Sequence, residues 1–258
     1  MRKFLTLVAV ILSVMLLLPG CYGLITGSGN LDTREFDYSD FNRLEVSSAF
    51  EVEIVQSASF AVSITTDDNI FEYIDIAKSG NTLNIRLKSG YNFRYFTIEA
   101  VILMPDITHL KLSGATHGTV QDFSFSHDLA VELSGASSLI MTNIAAGRID
   151  FEISGASRVS GNITADAAAD FDVSGASTVE LSGSAKDLKA DASGASHLEL
   201  DDFPVSNADI ELSGVSNGTV NTDGTLDADL SGASKLYYIG EPTMGNIDTS
   251  GASGISKK

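Results

Sequence analysis

Tryptophan is absent from this chain of 258 residues, proline occurs 4 times and cysteine once. A single cysteine excludes an intrachain disulfide and a cysteine-based zinc site. Cations are also scarce: 16 Lys and Arg stand against 34 Asp and Glu, a formal net charge of −18. That deficit argues against nucleic acid as a partner, because phosphate recognition needs Lys and Arg. It argues equally against simple electrostatic docking on anionic lipid. Apolar residues make up 43% and charged residues 19%, so the chain has the material for a sizeable core and is not a disordered polypeptide. The length suits one large domain or two small ones.

The N-terminus reads as an address. Arg2 and Lys3 precede an apolar run from Phe4 to Leu18, too short for a ~20-residue bilayer span and suited to a signal-peptide core. The run ends in Leu18-Pro19-Gly20-Cys21, which resembles a bacterial lipobox. Residues 1–20 are thus expected to be a lipoprotein-type signal peptide, with Cys21 the lipidation site. Cleavage would remove two of the 16 basic residues, leaving 14 against 34 acidic ones and a net charge of −20. Acyl chains would anchor the protein at ~0.8 kcal/mol per buried methylene. Residues 21–30 read as a lipidated flexible tether.

A repeat dominates the rest. Ser-Gly-Ala-Ser or a close variant begins at Ser113, Ser134, Ser154, Ser174, Ser193, Ser213, Ser231 and Ser250, at spacings of 21, 20, 20, 19, 20, 18 and 19. Before each motif, apolar residues flank a polar one, as in Val131-Glu132-Leu133 and Phe171-Asp172-Val173. Alternation resumes after most motifs, for example at Val179 and Leu181. This is the period of a strand with one buried face. Each repeat therefore holds a strand, a bend and a second strand, closed by a less regular third side. Propeller blades need ~40 residues, and leucine-rich repeats need their own ladder. The expected fold is all-β: a single-stranded parallel β-helix, or solenoid, of about 20 residues per coil over 106–258, with neighbouring coils burying what one coil cannot.

Stacking makes the motif mechanical. Gly114, Gly135, Gly155, Gly175, Gly194, Gly214, Gly232 and Gly251 are expected at one corner with positive φ. The alanines can turn inward where space is tight, and the serines are expected to form hydroxyl ladders that bond to the bend backbone and to each other. A catalytic serine is needed once, not eight times, and no Gly-x-Ser-x-Gly elbow or Ser-x-x-Lys pair occurs. Residues 44–54 carry a faded copy in which Ser48 replaces the glycine. Residues 31–105 read as a β-rich entry or cap region, with one helical turn within 66–73 and a bend at Ser79-Gly80-Asn81.

Two residues before seven of the motifs stand Glu132, Glu152, Asp172, Asp191, Glu211, Asp229 and Asp248, with Lys111 before the first. Asp150, Asp170, Asp209 and Asp227 form a sparser second row. Rungs ~4.8 Å apart would place these carboxylates close enough to repel, raising their pKa values or recruiting cations. One reading is a stripe that binds Ca²⁺ weakly at many sites. The simpler one is a solvated face that keeps sheets apart. No EF-hand loop or Gly-Gly-x-Gly-x-Asp repeat is present, and no other cofactor is indicated. A polar to weakly basic row runs through His117, Ser138, Arg158, Thr178, His197, Asn217, Lys235 and Gly254, suggesting ordinary surface ahead of a polyanion site. The histidines form no recognisable metal pair. Tyr91, Phe93, Tyr95 and Phe96 read as cap packing, or else as an exposed stacking surface.

Gly27-Ser28-Gly29-Asn30, the Phe41–Ile54 segment, Met104-Pro105-Asp106 and the repeats from Ser113 together resemble the family described as "Putative auto-transporter adhesin, head GIN domain". The resemblance covers about 30–255 and implies an adhesin-like role without supplying binding residues. No separate translocator domain is evident, and the lipobox points to a lipid anchor. The expectation is a cell-envelope protein, exported and membrane-anchored at the outer membrane or cell surface. It would be a binding or scaffold module without catalysis, meeting glycans or surface proteins through many weak contacts. The alternative is a carbohydrate-active β-helix enzyme, a polysaccharide lyase or hydrolase. Monotonous rungs disfavour it, and the fold alone licenses no activity.

Overall fold

The computed structural model describes residues 22–258. The signal segment 1–20 and Cys21 lie outside the described residues.

From His109 onward the chain winds as a three-sided parallel coil stack. The side before each bend, side A, starts with strands His109–Ser113, Leu129–Leu133 and Ile149–Ile153. It continues through the ends of two long strands, Arg158–Val173 and Thr178–Ala192, and then Asn207–Leu212, Thr225–Leu230 and Thr243–Thr249. Register is kept from coil to coil: Leu110, Val131, Phe151, Phe171, Ala190, Ile210, Ala228 and Ile247 follow one another across the stack. The side after the bend, side B, repeats this with Gly118, Leu139, Val159, Val179, Leu198, Gly218, Leu236 and Ile255. A shorter side C stacks Ile144 on Ile163 and Ala146 on Ala165 and Ala185.

Alternation sends one set of residues on each strand inward. Leu112, Leu133, Phe151, Val173, Leu198, Ile210 and Leu230 are all buried. Each such side chain contributes roughly 1.5–3 kcal/mol by leaving water. Phe151 and Phe171 stack with centroids 4.9 Å apart and planes 2° from parallel, the arrangement that in-register parallel strands impose on identical residues.

The eight motif glycines have φ between 72° and 79° and stand in one column. From Gly114 to Gly232 each glycine carbonyl accepts a bond from the N–H of the next coil's third motif residue, as in Ala176 to Gly155 at 2.7 Å. The third residue was expected to point inward; it is exposed in every copy from Ala115 to Ala195, and again at Val215 and Ala233. The inward position belongs to the fourth residue. Ser137, Ser157, Ser177 and Ser196 are buried, and each hydroxyl donates to the carbonyl of its own motif's first serine at 2.8–2.9 Å. A left-handed glycine turns the chain so that this short bond closes, and a methyl group could not replace it.

The N-terminal region holds β1 (Tyr22–Thr26), β2 (Leu31–Phe36), β3 (Arg43–Ser47), β4 (Glu51–Gln56), β5 (Ala61–Asp67), β6 (Ile74–Ser79), β7 (Thr82–Leu87), β8 (Tyr91–Arg94) and β9 (Ile98–Met104). The faded repeat is a true coil: β3 and β4 lie beneath His109–Ser113 and His117–Gln121, with Ser48 at φ 77° in the glycine column. Chain order and stacking order differ here. β7 and β9 stack outside β3 and β4, so the chain doubles back past the faded coil to reach His109. Antiparallel β6 covers the edge of β7, while β5 covers β9 and β2 covers β5. This is the protection that an open parallel edge needs. The helical turn within 66–73 is a short 3₁₀ turn, Phe71–Tyr73.

Most of the expected flexible tether is ordered. β1 pairs in parallel with β8, starting at Tyr22 opposite Tyr91. Ile25 packs on the core, and Gly29 N–H donates to the buried Asp67 carboxylate at 2.6 Å. Ser28 Oγ donates to Asp68 at 2.6 Å. These pairings are long-range, so nothing in the local composition of 22–30 signals them.

Candidate functional site

The stack presents long lateral faces rather than an enclosed cleft. On side A, Lys111, Glu132, Glu152, Asp172, Asp191, Glu211, Asp229 and Asp248 stand in unbroken register. Glu45 continues the row below Lys111. Lys111 Nζ pairs with Glu132, which lowers the Glu132 pKa and raises that of Lys111. At Glu132 the shift therefore runs opposite to the rise expected from repulsion alone, because the hydrogen bond and charge of Lys111 outweigh the effect of burial. The second row is not uniformly acidic: Lys189 stands between Asp170 and Asp209, and Arg148 pairs with both Asp150 and Asp170. Burial raises the Asp170 pKa against the pull of Arg148. Among the described residues no three carboxylates, histidines or cysteines converge as a metal site would require.

On side B the outward row runs Glu51, His117, Ser138, Arg158, Thr178, His197, Asn217, Lys235 and Gly254. A parallel row includes Glu53, Thr119, Ile140, Ser160, Glu180, Glu199, Thr219 and Tyr237. The histidines do not meet. His117 bonds Ser138 at 2.6 Å and His197 bonds Glu199 at 2.8 Å. His109 is buried 3.5 Å from Glu132, and burial followed by Arg43 lowers its pKa. His127 stacks on Phe125 and bonds Asp106 at 2.6 Å. Burial pulls its pKa down, but the Asp128 carbonyl and the Asp106 carboxylate outweigh that and hold it above the ordinary value.

Sequence reasoning missed an open depression of about 540 Å³ where sides B and C meet. It runs over four coils, from Thr142 through Ser160, Asn162 and Ser182 to Asp201. Its carboxylates, Glu180, Glu199, Asp201 and Asp202, come from two adjacent coils. The signal was present in Ser160-Gly161-Asn162 and Ser182-Gly183-Ser184. Gly161 and Gly183 have φ of 133° and 119° and mark the corner where the long strands turn. The aromatic group divides. Phe93 and Phe96 pack 5.6 Å apart and Tyr73 lies 4.8 Å from Tyr91, whereas Tyr91 and Tyr95 remain exposed.

These features define a capped parallel β-solenoid with polar, repeating lateral faces. The chain belongs to the family described as "Putative auto-transporter adhesin, head GIN domain", whose model matches residues 40–242. Solved structures share the fold. A putative adhesin from Parabacteroides merdae ATCC 43184 has 17% identity and a TM-score of 0.82, covering 91% of this chain and 99% of that one. A putative adhesin from Parabacteroides distasonis ATCC 8503 has 18% identity and a TM-score of 0.81, covering 92% and 100%. A putative lipid binding protein from the same organism has 19% identity and a TM-score of 0.75, also covering 92% and 100%. No curated protein matches the chain.

Proposed function

We propose that this protein is a lipid-anchored adhesin or scaffold of the cell envelope that binds repetitive ligands along its lateral faces and catalyses nothing. One observation carries the reading: each outward position on sides A and B recurs in register from coil to coil. A ligand with its own repeat, such as a glycan chain or a surface-protein array, meets the same strand spacing at successive rungs and, on side A, a carboxylate at each from Glu132 to Asp248, so weak contacts accumulate. Membership of the adhesin family supports the reading, and Cys21 after the apolar leader supplies the anchor.

A glycan and matrix-protein array probed with and without Ca²⁺ tests the reading. Retention of polymeric ligands supports it, and no retention on any surface rejects it. The Ca²⁺ arm asks whether the side A carboxylate row takes cations. Calorimetry that shows neither heat nor a thermal shift rejects that role and leaves a solvated face.

A second reading, a carbohydrate-active enzyme, draws on the four carboxylates gathered in the B–C depression. Two of them are engaged elsewhere: Glu199 with His197 and Asp201 with Lys258. Cleavage of an arrayed polysaccharide that is lost in Glu180→Gln and Asp202→Asn would establish the enzyme.

A further inference from the structure

Exposed apolar side chains collect where the chain leaves its N-terminal leader. Tyr95 is 84% exposed, Leu24 56% and Tyr91 42%. Leu24 lies on β1, Tyr91 on β8, and Tyr95 directly follows β8. The two strands form their own parallel pair, in which Leu24 is opposite Asn92 and Thr26 opposite Arg94. Alternation turns Ile25 and Phe93 onto the core, sets Tyr91 on the Phe93 side against Tyr73, and leaves Leu24 facing outward. The Arg94 guanidinium sits 5.5 Å from the Tyr95 ring centre, and its Nε donates to Thr26 Oγ1 at 3.2 Å.

Cys21 immediately precedes this pair. Adjacent Cα atoms are ~3.8 Å apart, and Tyr22 is held in register with Tyr91. Acyl chains on Cys21 would therefore enter a bilayer beside Tyr91, with no slack to carry the domain away. Tyrosine suits that depth because its ring is apolar and its hydroxyl polar, and arginine suits the headgroups beside it. Cations and acids are mixed at this end: Lys88 Nζ donates to the Glu72 carbonyl at 2.6 Å, and Asp68 accepts from Ser28 just after β1, so net attraction to anionic lipid is not the driving force.

We propose that the capped end rests on the bilayer, with Leu24, Tyr95 and Arg94 in the headgroup layer. This rests on the lipid-anchor reading of Cys21. The contact fixes how the stack stands, and it leaves sides A and B free for ligand. Tyr237 lies eight rungs from β9, about 38 Å at ~4.8 Å per rung.

The absence of tryptophan supplies the experiment. Tyr95→Trp and Leu24→Trp each place a single reporter on the patch, and Tyr237→Trp places one far along the stack. Protein purified from membranes is reconstituted in phosphatidylcholine vesicles with brominated acyl chains. The two patch reporters should shift to shorter wavelength and lose intensity, while the Tyr237→Trp reporter behaves as it does in buffer. Patch reporters that match Tyr237→Trp overturn the proposal. If the recovered protein carries no lipid, the anchor reading fails by itself. The lone Cys21 thiol is then coupled to a maleimide phospholipid and the same quenching decides the patch.

Discussion

A β-carbon on Gly175 would overlap the carbonyl oxygen of Gly155, the oxygen that accepts the Ala176 N–H of the same bend at 2.7 Å. The glycine column is thus closed twice over, by its left-handed φ and by the backbone of the coil beneath. Gly29 has the same sign of φ, at 80°, with open space where its β-carbon would be.

That contrast predicts two different costs. Gly29→Ala should lose only the conformational penalty, roughly 1–2 kcal/mol. Gly175→Ala should lose that and the inter-coil bond geometry, and the damage should pass to neighbouring coils. Thermal unfolding followed by circular dichroism measures both. Equal losses would mean that the column is not packed as described.

The buried hydroxyls predict a second contrast. Ser177 Oγ donates to Ser174 O at 2.9 Å, whereas Ser216 Oγ is buried without a hydrogen-bond partner among the described residues. Ser177→Ala should cost about 1 kcal/mol. Ser216→Ala should cost less or stabilise, since it removes an unsatisfied polar group. Urea unfolding of the two variants reads the difference directly.

Asp191 lies in register between Asp172 and Glu211. Each such neighbour repels it by ~0.9 kcal/mol at ~4.8 Å in water, before screening. Asp191→Asn should therefore raise Tm at low ionic strength, and the gain should fade as salt shortens the Debye length. Bound Ca²⁺ would reverse the sign, because the wild type alone would then gain Tm on adding the cation.

Two histidines set opposite pH dependences. The His109 pKa lies below 6.5, so the unfolded chain takes up its proton first and His109 costs stability as pH falls through 6.5. The His127 pKa lies above 6.5, so its contribution is full below that value and is lost as pH rises through the folded pKa. His127→Gln should lower Tm more near pH 6 than near pH 8. His109→Gln should flatten the loss on the acid side. Tm profiles of the two variants that run parallel to wild type would contradict both assignments.

The coil stack was legible because its causes are local and repeated. Leu112, Leu133 and Ile153 each precede a bend by one residue, and the bend glycine recurs at a near-constant interval. The bend's interior differs from expectation at the third position, while the fourth-position hydroxyls bond the bend backbone as the motif suggests. Alanine is the more apolar residue, yet the hydroxyl at Ser157 has a carbonyl waiting at Ser154 and alanine has nothing to reach for. The permuted order of β3, β4, β7 and β9 was hidden because strand composition does not encode which neighbour a strand takes. The β1–β8 pair was hidden for the same reason, as Gly-rich 23–29 has the composition of a linker. The B–C depression depends on Gly161 and Gly183, which stand outside the repeat that drew attention.

If the lateral faces bind by repetition, retention depends on the length of the ligand. Immobilised protein is offered one glycan, selected from the array, as monomer, short oligomer and long polymer, and both retention and chain cleavage are recorded. Retention should climb with polymer length while the polymer stays intact. Equal binding of monomer and polymer, or a shortened polymer, would contradict it.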